Sequence, residues 1–349
     1  MKTAHINVPW LVRMKSGALQ RLGLYLARPS LTPVALFHSE GLLESILDKA
    51  RKSLQDHGIA MAVFHEVKEA SVEEAVRLLS ILPSSCKALI GVGGGKALDV
   101  AKYTASLAGL PYFAAPTSLS NDGFCSPQAS LTLEGKRRSL PTGLPEAVVV
   151  DLAVCEGAPL SLWHSGVGDL CSKFTAVWDW KLAFNRRGVP VNDLAALMSD
   201  ASVFQFMANP VSDDQGLRLL ATALMLNGVA MEIAGSSRPA SGSEHLISHA
   251  LDMTGARQRL HGLQTGTAAY LVSKLQGGSH HERIGKLFAR TGFWESVRQQ
   301  PFSKEEWRVA VERAPSVKDD FYTILSEKDA WPEFARMIAR DTALVGCFE

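Results

Sequence analysis

The sequence has almost no net charge, few cysteines and no long apolar run, and each shortage removes a class of function. Among 349 residues, 36 Lys and Arg face 35 Asp and Glu, for a formal net charge of +1. No global field therefore favours nucleic acid or an anionic membrane surface. The basic clusters are short, Lys136-Arg137-Arg138 and Arg186-Arg187, and read as solvated turns. Five cysteines, odd in number and without a C-x-x-C pair, fit reduced thiols better than a disulfide framework. No apolar run approaches the length that spans a bilayer, and residues 1–30 hold no continuous apolar segment of the signal-peptide kind. The expectation is a cytoplasmic protein with a small-molecule substrate, no nucleic acid and no membrane insertion. A homo-oligomer is left open.

Two familiar phosphate signatures are also missing, the spaced G-x-G-x-x-G and the G-x-x-x-x-G-K-[ST] loop. What stands instead is Ala88-Leu-Ile-Gly-Val-Gly-Gly-Gly-Lys-Ala-Leu-Asp-Val-Ala-Lys102. An apolar run reads as a buried strand, stops at Gly93-Gly94-Gly95, and gives way at once to a helical pattern. Glycines let a phosphate approach the backbone, and a helix N-terminus offers unpaired N–H groups and partial positive charge. Gly93, Gly94 and Gly95, with Lys96, Ala97, Leu98 and Asp99 behind them, are candidate dinucleotide contacts.

Around that loop, strand and helix patterns alternate. Strands are expected at 33–37, 61–64, 88–92, 111–116 and 147–150, and helices at 17–26, 41–55, 71–82 and 95–108. Ser71-Val-Glu-Glu74 has the capping-box spacing that opens a helix. Alternation of this kind predicts a parallel, doubly wound sheet. From Pro159 the character changes to long apolar-periodic segments at 166–182, 192–207, 216–234, 243–253 and 263–275. The expected architecture is an α/β dinucleotide-binding domain over 1–157 and an all-α metal- and substrate-binding domain over 158–349.

The helical half carries Gly242-Ser-Glu-His-Leu-Ile-Ser-His249. His245 and His249, four apart, share one helix face. This is metal-ligand spacing, but Leu246 rules out the H-E-x-x-H arrangement. His261 begins His261-Gly262, whose glycine is expected to allow a tight turn aiming the imidazole at His245. Asp169, in Gly166-Val-Gly-Asp-Leu170, is expected at the head of a helix. One Asp and two His with open positions would hold a divalent Lewis acid; spacing leaves open which two histidines take part. In Pro116-Thr-Ser-Leu-Ser-Asn-Asp-Gly123, hydroxyls face a candidate cofactor and Asp122 a candidate polyol. His280-His281 reads as a solvated loop, Trp178 and Trp180 as packing, and Asp213-Asp214 as a helix start.

Together these stretches resemble the superfamily of metal-dependent polyol dehydrogenases that includes glycerol dehydrogenase, iron-type alcohol dehydrogenases and dehydroquinate synthase. Within it they are most similar to the sn-glycerol-1-phosphate dehydrogenases. Thr175-Ala-Val-Trp-Asp-Trp-Lys-Leu-Ala183, Ser237-Arg-Pro-Ala-Ser-Gly-Ser-Glu-His245 and Ser248-His-Ala-Leu-Asp252 add to the match. The resemblance implies a dehydroquinate synthase-like fold and NAD- or NADP-linked interconversion of dihydroxyacetone phosphate and sn-glycerol 1-phosphate. It implies Asp169, His245 and His261 as ligands of Zn, with Ni or Fe also suited to them. It places Asp122, Asp169 and His249 at the substrate. It lines the cofactor with residues 95–99, Thr117, Ser118, Leu119, Ser120 and Ser126, and offers Arg238 for a substrate phosphate. Three positions depart from the family pattern: Leu263 replaces a usual Glu, Asn121 a common His, and Phe37-His-Ser-Glu40 lacks the Asp that often grips the NAD ribose. A dehydrogenase of another small polyol is the runner-up, ahead of a lyase or a non-catalytic binding module.

Overall fold

The computed structural model describes residues 6–255, 259–318 and 320–349. The chain forms two compact units, residues 1–158 with 212–221, and 159–211 with 222–349.

The first unit contains β1 (Leu11–Met14), β2 (Val34–Ser39), β3 (Met61–Val67), β4 (Ala88–Gly93), β5 (Tyr112–Pro116), β6 (Gln128–Leu133), β7 (Lys136–Pro141) and β8 (Ala147–Val150). Six of these build a parallel sheet in the order β1-β8-β5-β4-β2-β3. Helices α1 (Leu22–Leu26), α2 (Glu44–Asp56), α3 (Val72–Ile81), α4 (Gly95–Ala108) and α5 (Leu152–Glu156) accompany it. Neighbouring residues on β2 enter opposite cores, Val34 and Leu36 one cluster, Ala35 and Phe37 the other. That is why the strands read as unbroken apolar runs rather than alternating ones. Ser71 caps α3, its hydroxyl accepting the Glu74 N–H at 3.1 Å. From β2 the chain runs outward to β3 and then returns past β2 to β4. The reversal leaves the ends of β2 and β4 side by side, the position where open α/β sheets take their ligands.

Two features depart from the sequence expectation. β1 adds an edge strand, and β6 and β7 pair as an antiparallel hairpin where no strand is expected. Only alternate residues of β6, Ala129 and Leu131, are buried, and β7 is largely exposed. Lys136-Arg137-Arg138 therefore lies on a strand, not in a turn; the turn is Glu134-Gly135, both at positive φ.

The second unit is built from α6 (Leu160–Arg187), α7 (Asp193–Ala208), α8 (Asp214–Ala234), α9 (Ser243–Thr254), α10 (His261–Gln276), α11 (His280–Thr291), α12 (Phe293–Gln299), α13 (Lys304–Arg313) and α14 (Trp331–Arg340), with the first residues of α8 belonging to the other unit. Among the described residues it holds no strand beyond an isolated bridge between Phe302 and Phe348. By length and composition α8 alone among the described helices could cross a membrane, yet half of that stretch is buried in the protein. Asn227 on α8 bonds Ser199 and Ser202, which is core-helix behaviour. Asp213 opens α8, its carboxylate accepting the Gly216 N–H at 2.8 Å.

Candidate metal centre and cofactor loops

Asp169 lies well inside α6, not at its head. Gly166 and Gly168 do not break the helix, and Gly168 lets α10 come close. A Cβ on Gly168 would collide with the Gly262 carbonyl, and one on Gly262 with the Ser165 carbonyl. Gly262 likewise serves no turn, because α10 begins at His261 itself and the Gly262 N–H donates to the Ser165 hydroxyl at 3.1 Å. Two helix backbones in contact leave His261 beside Asp169, its Nε2 3.9 Å from Oδ1. From α9, His245 brings Nε2 to 3.6 Å from the same oxygen. One ligand atom from each residue lies within 4.8 Å of the other two. Donors about 2.1 Å from a tetrahedral ion stand about 3.4 Å apart, so the spacing fits. His249 sits one turn along α9, its ring 6.4 Å from the rings of both His245 and His261.

The outer hydrogen bonds support the same assignment. His245 Nδ1 lies 2.9 Å from the Glu244 carboxylate. His261 Nδ1 lies 3.1 Å from the Ser248 hydroxyl, which itself donates to Gln264 Oε1 at 2.8 Å. A hydroxyl that donates onward accepts from the imidazole, so both rings carry their proton on Nδ1 and turn the Nε2 lone pair towards Asp169. Metal-bound histidines are held this way. The three residues thus fit a divalent ion. Burial works against the Asp169 charge, but Lys173, His245 and His261 outweigh it and hold the carboxyl well below the usual carboxylate range. Burial also opposes a proton on His245, yet Asp169 and Glu244 raise its pKa. Behind Glu244, the buried Asp179 accepts the Ser243 and Ile324 N–H groups. Burial and the neighbouring Glu244 charge push it up to about 7.

In the α/β unit, Gly93 adopts φ +140°, and a Cβ there would strike the Ser39 side chain. Ser39 Oγ accepts the Gly94 N–H at 2.9 Å, and the Gly93 carbonyl accepts the Thr117 N–H at 3.0 Å. The glycine turn is thereby tied to the ends of β2 and β5, and Ser118 and Ser120 follow half-exposed. Ala97, Leu98 and Leu119 bury their side chains, so a cofactor can meet only their backbones. Lys96 reaches the Lys68 carbonyl at 2.8 Å and Glu40 at 3.9 Å. Asp99 is buried against Lys102 at 3.2 Å. Lys102 in turn donates to the carbonyls of Gly123, Ser126 and Gln128. That anchors the 3-10 turn Asp122–Cys125 and the buried Ser126.

Curated relatives agree with this architecture. The chain is 36% identical over 289 residues to the glycerol-1-phosphate dehydrogenase [NAD(P)+] of Hyperthermus butylicus, covering 81% of this chain and 82% of the relative. It is 33% identical to that of Aeropyrum pernix, over 97% of this chain and 98% of the relative. The chain belongs to the glycerol-1-phosphate dehydrogenase family. Residues 13–159 match the iron-containing alcohol dehydrogenase family model. In fold, this family member resembles glycerol dehydrogenase from Schizosaccharomyces pombe, with a TM-score of 0.76 at 18% identity over 99% of this chain and 92% of that one. Sulfoacetaldehyde reductase from Bifidobacterium kashiwanohense, in complex with NAD+, gives 0.71 at 16% identity over 98% and 100%.

Other expectations change with the geometry. The Arg238 guanidinium stacks on Phe321 and donates to the carbonyls of Asp320 and Tyr322, which makes it a clamp between two loops. His280 and His281 are not a solvated loop: they open α11 and pack on the rings of Phe174 and Tyr270. Trp180 is buried with its indole N–H on the Pro190 carbonyl. Sequence reasoning passed over Ser39, Lys102, Lys173, Glu244, Ser248 and Gln264. Glu244 and Ser248 stand next to histidines already singled out, and that adjacency was the available signal.

Proposed function

We propose that this protein is a metal-dependent oxidoreductase that interconverts dihydroxyacetone phosphate and sn-glycerol 1-phosphate with NAD or NADP. The observation that carries the reading is the convergence of Asp169, His245 and His261, with both Nδ1 atoms engaged and both Nε2 atoms turned inward. The substrate pair is supported by similarity to the glycerol-1-phosphate dehydrogenases [NAD(P)+] of Hyperthermus butylicus and Aeropyrum pernix. Zinc suits these ligands, as do nickel and iron. When bound, the ion supplies Lewis acidity towards a ketone oxygen and the nicotinamide supplies the hydride.

The rest falls to the chain. Asp169, His245 and His261 hold the ion, with Glu244 and Ser248 fixing the ring orientations. Gly95, Lys96 and Ala97 offer backbone N–H groups to a pyrophosphate at the start of α4, beside the turn at Gly93 and Gly94. Thr117, Ser118, Ser120 and Ser126 present polar groups along the cofactor, and Asp122 accepts from substrate hydroxyls. His249, half-exposed on the turn after His245, moves the proton between a ring nitrogen and solvent. The five cysteines are unpaired and buried, which supports a cytoplasmic setting.

The test is incubation with NADH or NADPH, dihydroxyacetone phosphate and Zn²⁺, read as loss of nicotinamide absorbance. No loss at any pH sinks the reading. A dehydrogenase of an unphosphorylated polyol is the second reading, favoured by the commitment of Arg238 to two carbonyls. Equal or better turnover of free dihydroxyacetone would select it.

A further inference from the structure

One buried charge at the metal centre has no place in the mechanism above. Lys173 lies one turn after Asp169 on α6, is fully buried, and brings Nζ to 3.1 Å from Asp169 Oδ1. It also reaches the Ala240 carbonyl at 3.4 Å. The carboxylate atom it meets is the one His245 and His261 face. A fixed cation therefore sits beside the place where a second cation is to bind.

We propose that Lys173 is a built-in counter-ion for Asp169, keeping the helical unit folded without metal and holding metal affinity below what the three ligands alone would give. The inference rests on the metal reading above and adds a residue to it. A carboxylate buried as deeply as Asp169 is strongly destabilising without a partner charge. In the metal-free protein Lys173 supplies that charge from the same helix, at a spacing the helix itself maintains. In the loaded protein the same ammonium repels the ion across a few ångströms with little water to screen it. Removing the charge therefore destabilises the empty state and relieves the loaded one. Both effects tighten metal binding.

Lys173→Met keeps most of the apolar stem and removes the ammonium together with its donors to Asp169 and the Ala240 carbonyl. Wild type and variant are stripped with EDTA, then titrated with zinc chloride against a chromophoric chelator and melted at each point. The expected result is a lower metal-free Tm for the variant and a larger zinc-induced rise. Its zinc dissociation constant should fall by at least about tenfold. An unchanged or weaker zinc affinity, or a metal-free variant as stable as wild type, overturns the proposal. A variant that refolds only in the presence of zinc supports it. One that fails to refold even with zinc overturns it, because the charge is then needed in the loaded state too. If zinc leaves the wild-type Tm unmoved, the metal reading itself fails, which separates the two conclusions.

Discussion

Each unit of the chain buries a lysine beside an aspartate of the same helix, and the two pairs spend their charge differently. In the α/β unit, Lys102 meets Asp99 at 3.2 Å and also donates to three carbonyls. Every proton of its ammonium has an acceptor, and the result is a fixed turn at Asp122–Cys125. In the helical unit, Lys173 meets Asp169 at 3.1 Å, but two imidazoles face that carboxylate as well. The first pair is closed, and its partners are backbone. The second is shared, and the imidazoles that face it are candidate metal ligands. A buried ion pair is weak evidence for stability as such. Which groups compete for the carboxylate decides whether it is scaffold or site.

The comparison breaks most completely at Gly262. Gly262→Ala forces α10 off the Ser165 carbonyl, and His261 leaves Asp169. The expected outcome is a loss above about 4 kcal/mol, or no folded helical unit, with metal content falling to none by elemental analysis. Lys102→Met leaves Asp99 buried and unpaired, at a cost of about 3–5 kcal/mol in denaturant melts. Zinc should recover none of that loss, in contrast to Lys173→Met; recovery by zinc would erase the distinction between the pairs. Glu244→Gln keeps an acceptor near His245 Nδ1 but removes its charge. Metal affinity should drop by about 10- to 100-fold with little change in the metal-free Tm.

The smallest effect is a pH limb. Folded Asp179 titrates at about 7, whereas in the unfolded chain it ionises near 4. Between those values the folded form holds a proton that the unfolded form has released. Stability is therefore fullest below about pH 4 for this group and declines as pH rises towards 7. In metal-free protein this decline is read from denaturant melts across that pH range, and Glu244→Gln should flatten it. A limb unchanged by that substitution would remove Glu244 as its cause.

The legible parts of this molecule were those where residue type and local spacing coincide. Ala88–Val92 followed by three glycines announces a strand, a turn and a helix start. His245, His261 and Asp169 carry ligand chemistry in their side chains. What was hidden depends on partners distant in sequence. Gly262 reads as a turn residue, and Gly168 carries no signal, because nothing local shows that two helices touch there. Lys102 and Lys173 give no sign in the sequence, since a lysine announces burial only through its acceptors. The β6–β7 hairpin escaped because one face of β6 and most of β7 are solvated, which leaves too weak an apolar pattern to register.

The contact between Ser39 and Gly94 has a consequence for where an anion can rest. A helix start leaves its first N–H groups without intrahelical acceptors, but the Gly94 amide already points at Ser39 Oγ. The amides left for a phosphate oxygen are those of Gly95, Lys96 and Ala97. For an anion bound at this helix start, Ser39 would act as a gauge, setting it one residue along the helix and away from β2. Ser39→Ala would free the Gly94 amide and let the anion slide back, changing dinucleotide affinity without touching any of the candidate metal ligands.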